Sequence, residues 1–213
     1  ITATSNEKVY AFAVAGSGGG KVGIAGSAVV NVLDETTTAY IDKSATINAV
    51  NGSANAAQDV VVLAHDETEF LDVAGGLAGA GNVGVGAGAD VATVTKKTEA
   101  KVWATSVAAK QDVKVKANST EKFLSISVAL GAAGTVGVAG SAGVYVLNNT
   151  TRAFIGEDTT AASFVDLPGA TTVTADGSVL VSAVNDTEGD IIAGNIAGAG
   201  TVGIGAAAGV SVV

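Results

Sequence analysis

The chain has 213 residues and a formal net charge of −9, from 20 Asp and Glu against 11 Lys and Arg, with 48% hydrophobic residues, 15% charged residues and no Cys. That size and hydrophobicity can bury a core and exclude a disordered chain, while one Pro and no Gly-X-Y period exclude collagen. The missing Cys removes disulfides, thiolate metal sites and thiol nucleophiles, and the acidic balance, with Arg152 the lone arginine, argues against nucleic acid. The chain opens without an initiator Met, a basic n-region or a cleavable signal, and is expected to be a piece of a longer one.

In chain order, four segments repeat: Gly20 to Gly26, Gly81 to Ala87, Gly134 to Gly140 and Gly200 to Ala206. From Lys21 to Asn82, Thr135 and Thr201 the intervals are 61, 53 and 66 residues. Downstream columns agree without a gap: Ala39-Tyr40-Ile41 with Ala100-Lys101-Val102 and Ala153-Phe154-Ile155, then Asp59-Val60 with Asp112-Val113 and Ser178-Val179. Units are placed at about 9–68, 69–122, 123–188 and a partial 189–213, in one continuous segment.

Inside each unit the period is two. Val22, Ile24, Gly26, Ala28, Val30 and Val32 share one face, and Val83, Val136 and Val202 open the matching faces downstream. Tiny residues line the other face, beginning at Gly23, Gly84, Gly137 and Gly203. Such alternation with β-branched residues predicts strands, and no stretch has a helical period. Loops are expected at Asn51 to Asn55, Ser106 to Gln111 and Gly156 to Gly169, where the units differ in length. A unit that cannot bury its own face must stack on its neighbours, so the expected fold is an all-β solenoid. The Gly/Ala face implies close approach of backbone, either across a thin core or between two solenoids, with the thin core favoured. Replacing Gly137 or Gly203 by Leu is then expected to disrupt folding by overpacking.

Gly134 to Ala183 carries a resemblance. Its Val144-Tyr145-Val146-Leu147-Asn148-Asn149-Thr150-Thr151-Arg152-Ala153-Phe154-Ile155-Gly156 and Thr171-Thr172-Val173-Thr174-Ala175 are similar to repeats of very large bacterial surface proteins. These are the filamentous-haemagglutinin-like and leukotoxin-type filamentous adhesins exported by type V routes. The resemblance implies a right-handed parallel β-helix on a secreted, cell-surface adhesin.

Motifs that would carry chemistry fare poorly. Gly79 to Gly84 and Gly198 to Gly203 match GxGxxG, but strand pattern follows where a phosphate-binding helix is needed. Gly16 to Lys21 lacks the glycine spacing of a phosphate loop and has Val22 in the magnesium-binding place. His65, the single histidine, lies beside Asp66, Glu67 and Glu69, and its outward parity reads as a solvated side chain. Asp72, Asp90 and Lys114 are assigned to outward columns too scattered for a carboxylate pair, so an enzyme is not expected. Gly86 to Asp90 matches part of a calcium nonapeptide whose Asp the other units lack. The sequons at Asn118, Asn148, Asn149 and Asn185 are taken as turn chemistry.

The uncharged runs Phe123 to Leu147 and Ile191 to Val213 are long enough to span a bilayer, but their period of two and charged counterparts argue for buried strands. Tyr40 and Phe154 share a column that Lys101 interrupts, and Trp103 has no repeated partner, so no aromatic stripe is expected. The expectation is a non-enzymatic shaft of a surface adhesin, without cofactor or metal. A glycan- or host-protein-binding module and a membrane-inserting toxin segment are the alternatives. Partners would be host glycans or surface proteins, or neighbouring copies meeting through the Gly/Ala face.

Overall fold

The computed structural model describes residues 1–49, 52, 54–104, 106–156 and 171–213. Among these residues there are strands and no α-helix: β1 (Thr2–Gly19), β2 (Val22–Ile41), β3 (Thr46–Ile47), β4 (Val60–Ala80), β5 (Val83–Val102), β6 (Ser106–Ala109), β7 (Val113–Ala133), β8 (Val136–Ile155), β9 (Thr172–Ala175), β10 (Val179–Ala199) and β11 (Val202–Val212). They form three sheets, ordered β1-β4-β7-β10, β2-β5-β8-β11 and β3-β6-β9, and every pairing is parallel. Parallel neighbours need a long connection, and each strand's return path supplies it. The chain runs out along the first sheet, back along the second, crosses the third and re-enters beside its starting strand. This all-β arrangement is consistent with a parallel β-helix.

The register follows the repeated columns. Val22 lies beside Val83, Val83 beside Val136, and Val136 beside Val202, with Gly23, Gly84, Gly137 and Gly203 one step on. Ala39, Ala100 and Ala153 pair likewise, as do Val60, Val113 and Val179. Glycine at the tight turn is required by this stacking. A Cβ on Gly81, Gly134 or Gly200 would stand 2.2, 2.3 and 2.3 Å from the carbonyl oxygen of the preceding turn's glycine. At the opposite end, the Asp59 carboxylate accepts the Asp112 N–H and the Asp112 carboxylate accepts the Ser178 N–H, both at 2.9 Å. Each aspartate thereby ties its own strand start to the next one.

The interior changes character along the strands. Where the three sheets meet, Ile41, Val62, Ala64, Val102, Val107, Val113 and Val115 form an apolar core. Nearer the turn, Phe70, Val94, Phe123, Tyr145 and Leu147 form a second, with the Phe123 and Tyr145 rings stacked at 3.6 Å. Beyond it the first and second sheets close on each other through glycine and alanine.

Some local expectations change. Ser106–Ala109 is strand, not loop, because Val107 and Ala109 plug the core between the sheets. Asn118, Asn148, Asn149 and Asn185 lie within strands rather than turns. The loop segments at 51, 53 and 157–170, with Pro168, lie outside the described residues.

Candidate functional site

The glycine face points inward, at the opposite sheet. A Cβ on Gly84 would lie 2.4 Å from the Ala132 carbonyl oxygen, one on Gly86 2.1 Å from that of Leu130, and one on Gly137 2.5 Å from that of Gly198. Backbone therefore meets backbone, and only glycine fits. Serine hydroxyls stitch the seam: the single Ser27 hydroxyl proton has the carbonyls of Ala13 and Gly75 as acceptors, 2.7 and 2.8 Å from Oγ, and Ser127 donates to that of Ala142 at 2.8 Å. In the last strand pair a Cβ on Gly203 would lie 2.7 Å from the Ala197 carbonyl oxygen. In β5 and β8 the Gly/Ala face is thus taken up by the opposite sheet. Val22, Val83, Val136 and Val202 sit on the outer face.

Between the two apolar cores lies a charged layer. Lys96, with no exposed side-chain surface, contacts Asp66 and Glu121, the latter at 3.1 Å, and its ammonium donates to the Thr68 hydroxyl at 2.5 Å. Asn149 bridges Glu121, Ser119 and Asn185 one rung further on. Toward β1 the layer holds Glu7 and Glu35, whose carboxylate oxygens lie with those of Asp66 within 4.8 Å of one another. Burial, then the hydrogen bond to Glu7, pushes Glu35 up to about 7, and the same bond holds Glu7 below its ordinary value. Lys96 therefore stands as a cation among four carboxyl groups, of which Glu35 is the one pushed toward its protonated form. Closer to the turn, Asp72 accepts from Asn31 at 2.7 Å and Asp90 accepts from Ser125. Burial raises the pKa of both, and one oxygen of each, like the Tyr145 hydroxyl, has no partner.

Outside, the second sheet carries a cation–aromatic cluster. The Lys101 ammonium lies 4.3 Å from the Trp103 ring centroid and 5.6 Å from that of Tyr40. Trp103 stands 6.5 Å from Phe154, over which Arg152 sits at 5.1 Å. Glu99 lies among Lys97 at 3.1 Å, Arg152 at 3.5 Å and Lys101 at 3.8 Å. The first sheet carries instead a row of alternating charge, in which Lys8 pairs with Glu69 at 2.9 Å and Lys122 with Glu188 at 3.9 Å.

Of the sequence candidates, His65 does project outward with Glu67 and Glu69, but Asp66 points inward, which splits that acidic cluster. Asp72 and Asp90 are not on outward columns. Each is 1% exposed, because its parity is that of the interior glycines and alanines. Both GxGxxG matches are strand–turn–strand with no helix N-terminus, and no described helix is long and apolar enough to cross a membrane. Sequence reasoning missed the Lys96 layer. Its signal was parity, since Lys96 is in step with Gly84, Ala92 and Val94. It also missed Trp103 beside Phe154, a contact between neighbouring rungs that lie in different columns. Set against models of known families, characterised proteins and solved structures, the chain matches none.

Proposed function

We propose that the chain is a shaft segment of a secreted bacterial surface adhesin of the filamentous-haemagglutinin-like kind. In this reading it is a right-handed β-solenoid whose units of about sixty residues each make one wide turn. The observation that carries the reading is the column-for-column parallel pairing of the three sheets, which stacks like on like along one axis. Such stacking buries a continuous core only between neighbours, and it extends by adding rungs. The outer edges of β1, β2, β10 and β11 carry ladder groups suited to a further rung. A rod of this kind needs neither disulfide nor cofactor to hold a binding region away from a cell.

A side-on adhesive module is the second reading, favoured by the cluster of Tyr40, Lys101, Trp103, Arg152 and Phe154. Aromatic faces beside cations suit a saccharide ring bearing a carboxylate or sulfate. The test presents labelled, folded chain to host epithelial cells and to a glycan panel, with Lys101→Ala and Trp103→Ala variants alongside. The shaft reading expects no saturable binding. Saturable binding lost in both variants would replace it with the adhesive one.

A further inference from the structure

The outer face of the second sheet is apolar from the turn inward. Six rows, headed in β2 by Val22, Ile24, Gly26, Ala28, Val30 and Val32, cross four strands, and among these 24 outward positions Thr93 alone carries a polar side chain. Exposure reaches 78% at Val32 on the edge strand and is still 37% at Val91 within the stack. At about 3.3 Å per residue and 4.8 Å per strand the face covers on the order of 650 Å². Soluble monomers rarely leave a continuous apolar patch of that size uncovered.

We propose that this face is the contact between two copies of the chain, packed sheet on sheet. The area is the first argument: in the pairing set out below four of the six rows overlap, so two such faces bury roughly 870 Å² together, the size of a weak, reversible complex. Each further rung would enlarge it. The relief is the second. The Val22 and Ile24 rows form a double ridge of β-branched side chains, while the Gly26 and Ala28 rows hold only Gly or Ala across all four strands. A two-fold axis along the rod, between the Ile24 and Gly26 rows, seats each copy's ridge in the other's trough. This contact is isologous, so it closes as a dimer.

Lipid is the poorer occupant for two reasons. The edges of β1, β2, β10 and β11 would carry ladder N–H and C=O groups into hydrocarbon, where water cannot satisfy them. Asp72 and Asp90 also lie inside the part of the molecule that would enter. The proposal goes beyond the shaft reading and does not depend on it.

The test is sedimentation velocity of the whole chain from micromolar to several hundred micromolar, with far-UV circular dichroism to confirm that each variant is folded. The expected result is a reversible dimer, weakened at least tenfold by Ala142→Lys in the trough and unchanged by Ile126→Lys on the outer face of the first sheet. That face is also apolar near the turn but has Leu77, Leu130 and Ile196 where the second sheet has its trough. Because the chain has no Cys, Ala142→Cys and Ile126→Cys each accept one environment-sensitive dye. The dye at 142 alone should shift to the blue as concentration rises. A monomer throughout the range overturns the proposal. So does a dimer lost in Ile126→Lys and kept in Ala142→Lys. Binding to phosphatidylcholine–phosphatidylglycerol vesicles, lost in Ala142→Lys and without self-association, would overturn it in favour of a lipid surface.

Discussion

Two glycines three residues apart in β8 separate close packing from strand propensity. At Gly137 an added Cβ would stand 2.5 and 2.6 Å from the carbonyl oxygens of Gly198 and Gly131, whereas at Gly140 the nearest atom is 3.9 Å away. An ordinary carbon–oxygen contact is about 3.2 Å or more, so Gly137→Ala must spread the two sheets by roughly half an ångström or more, and no side chain there can rotate aside. Overpacking of this kind costs about 1–3 kcal/mol. For a chain of this length that is a fall in Tm of about 3–10 °C. Gly140→Ala meets open space and reduces the freedom of the unfolded chain, so its Tm should stay level or rise by about 1–2 °C. Thermal melts followed by circular dichroism read both. Gly137→Leu, with three more carbons at the same spot, should not fold. If the two alanine variants melt together, the seam does not demand glycine and the thin interior is wrong.

Replacing Lys96 by Ala strands Asp66 and Glu121 in the interior without their cation. It should cost about 3–5 kcal/mol in urea unfolding, and a loss below 1 kcal/mol would show that the layer is wetter than its burial implies. Glu35, raised from 4.5 to about 7, keeps its proton in the folded chain where the unfolded chain has lost it. Its contribution is therefore present near pH 5 and lost as pH rises through 7, while the gain from Glu7 is constant over that window. After discounting for partial exposure, Tm should fall by about 2–4 °C between pH 5 and 8, and Glu35→Gln should flatten that slope. Tyr145→Phe removes a buried hydroxyl that has no partner and should leave stability level or higher, whereas Tyr145→Ala opens a cavity costing about 3–5 kcal/mol. A clear loss in Tyr145→Phe would reveal a hydrogen bond to that hydroxyl.

Strand type and pairing columns were legible in the sequence because both are local or repeated properties. A period of two fixes alternate sides of an extended chain, and like residues at a recurring interval set which strands lie side by side. Thus Val22, Val83, Val136 and Val202 could be aligned from their order alone. Which side faces inward was legible only in part: the Gly/Ala face was expected against a thin core, yet Asp72 and Asp90, which share its parity, were assigned outward, because these strands are apolar or tiny on both sides and hydrophobicity gives no vote. The tertiary structure decides it by sterics: two sheets in backbone contact admit glycine between them and exclude valine, so Gly84 and Gly137 go in and the larger side chains go out. The charges fell to the same ambiguity. Lys96, Asp66 and Glu121 are far apart in the chain, yet three strands bring them together with one cation between two carboxylates. A buried charge is tolerated only when its partner is in place, and that partnership exists only once the strands have stacked.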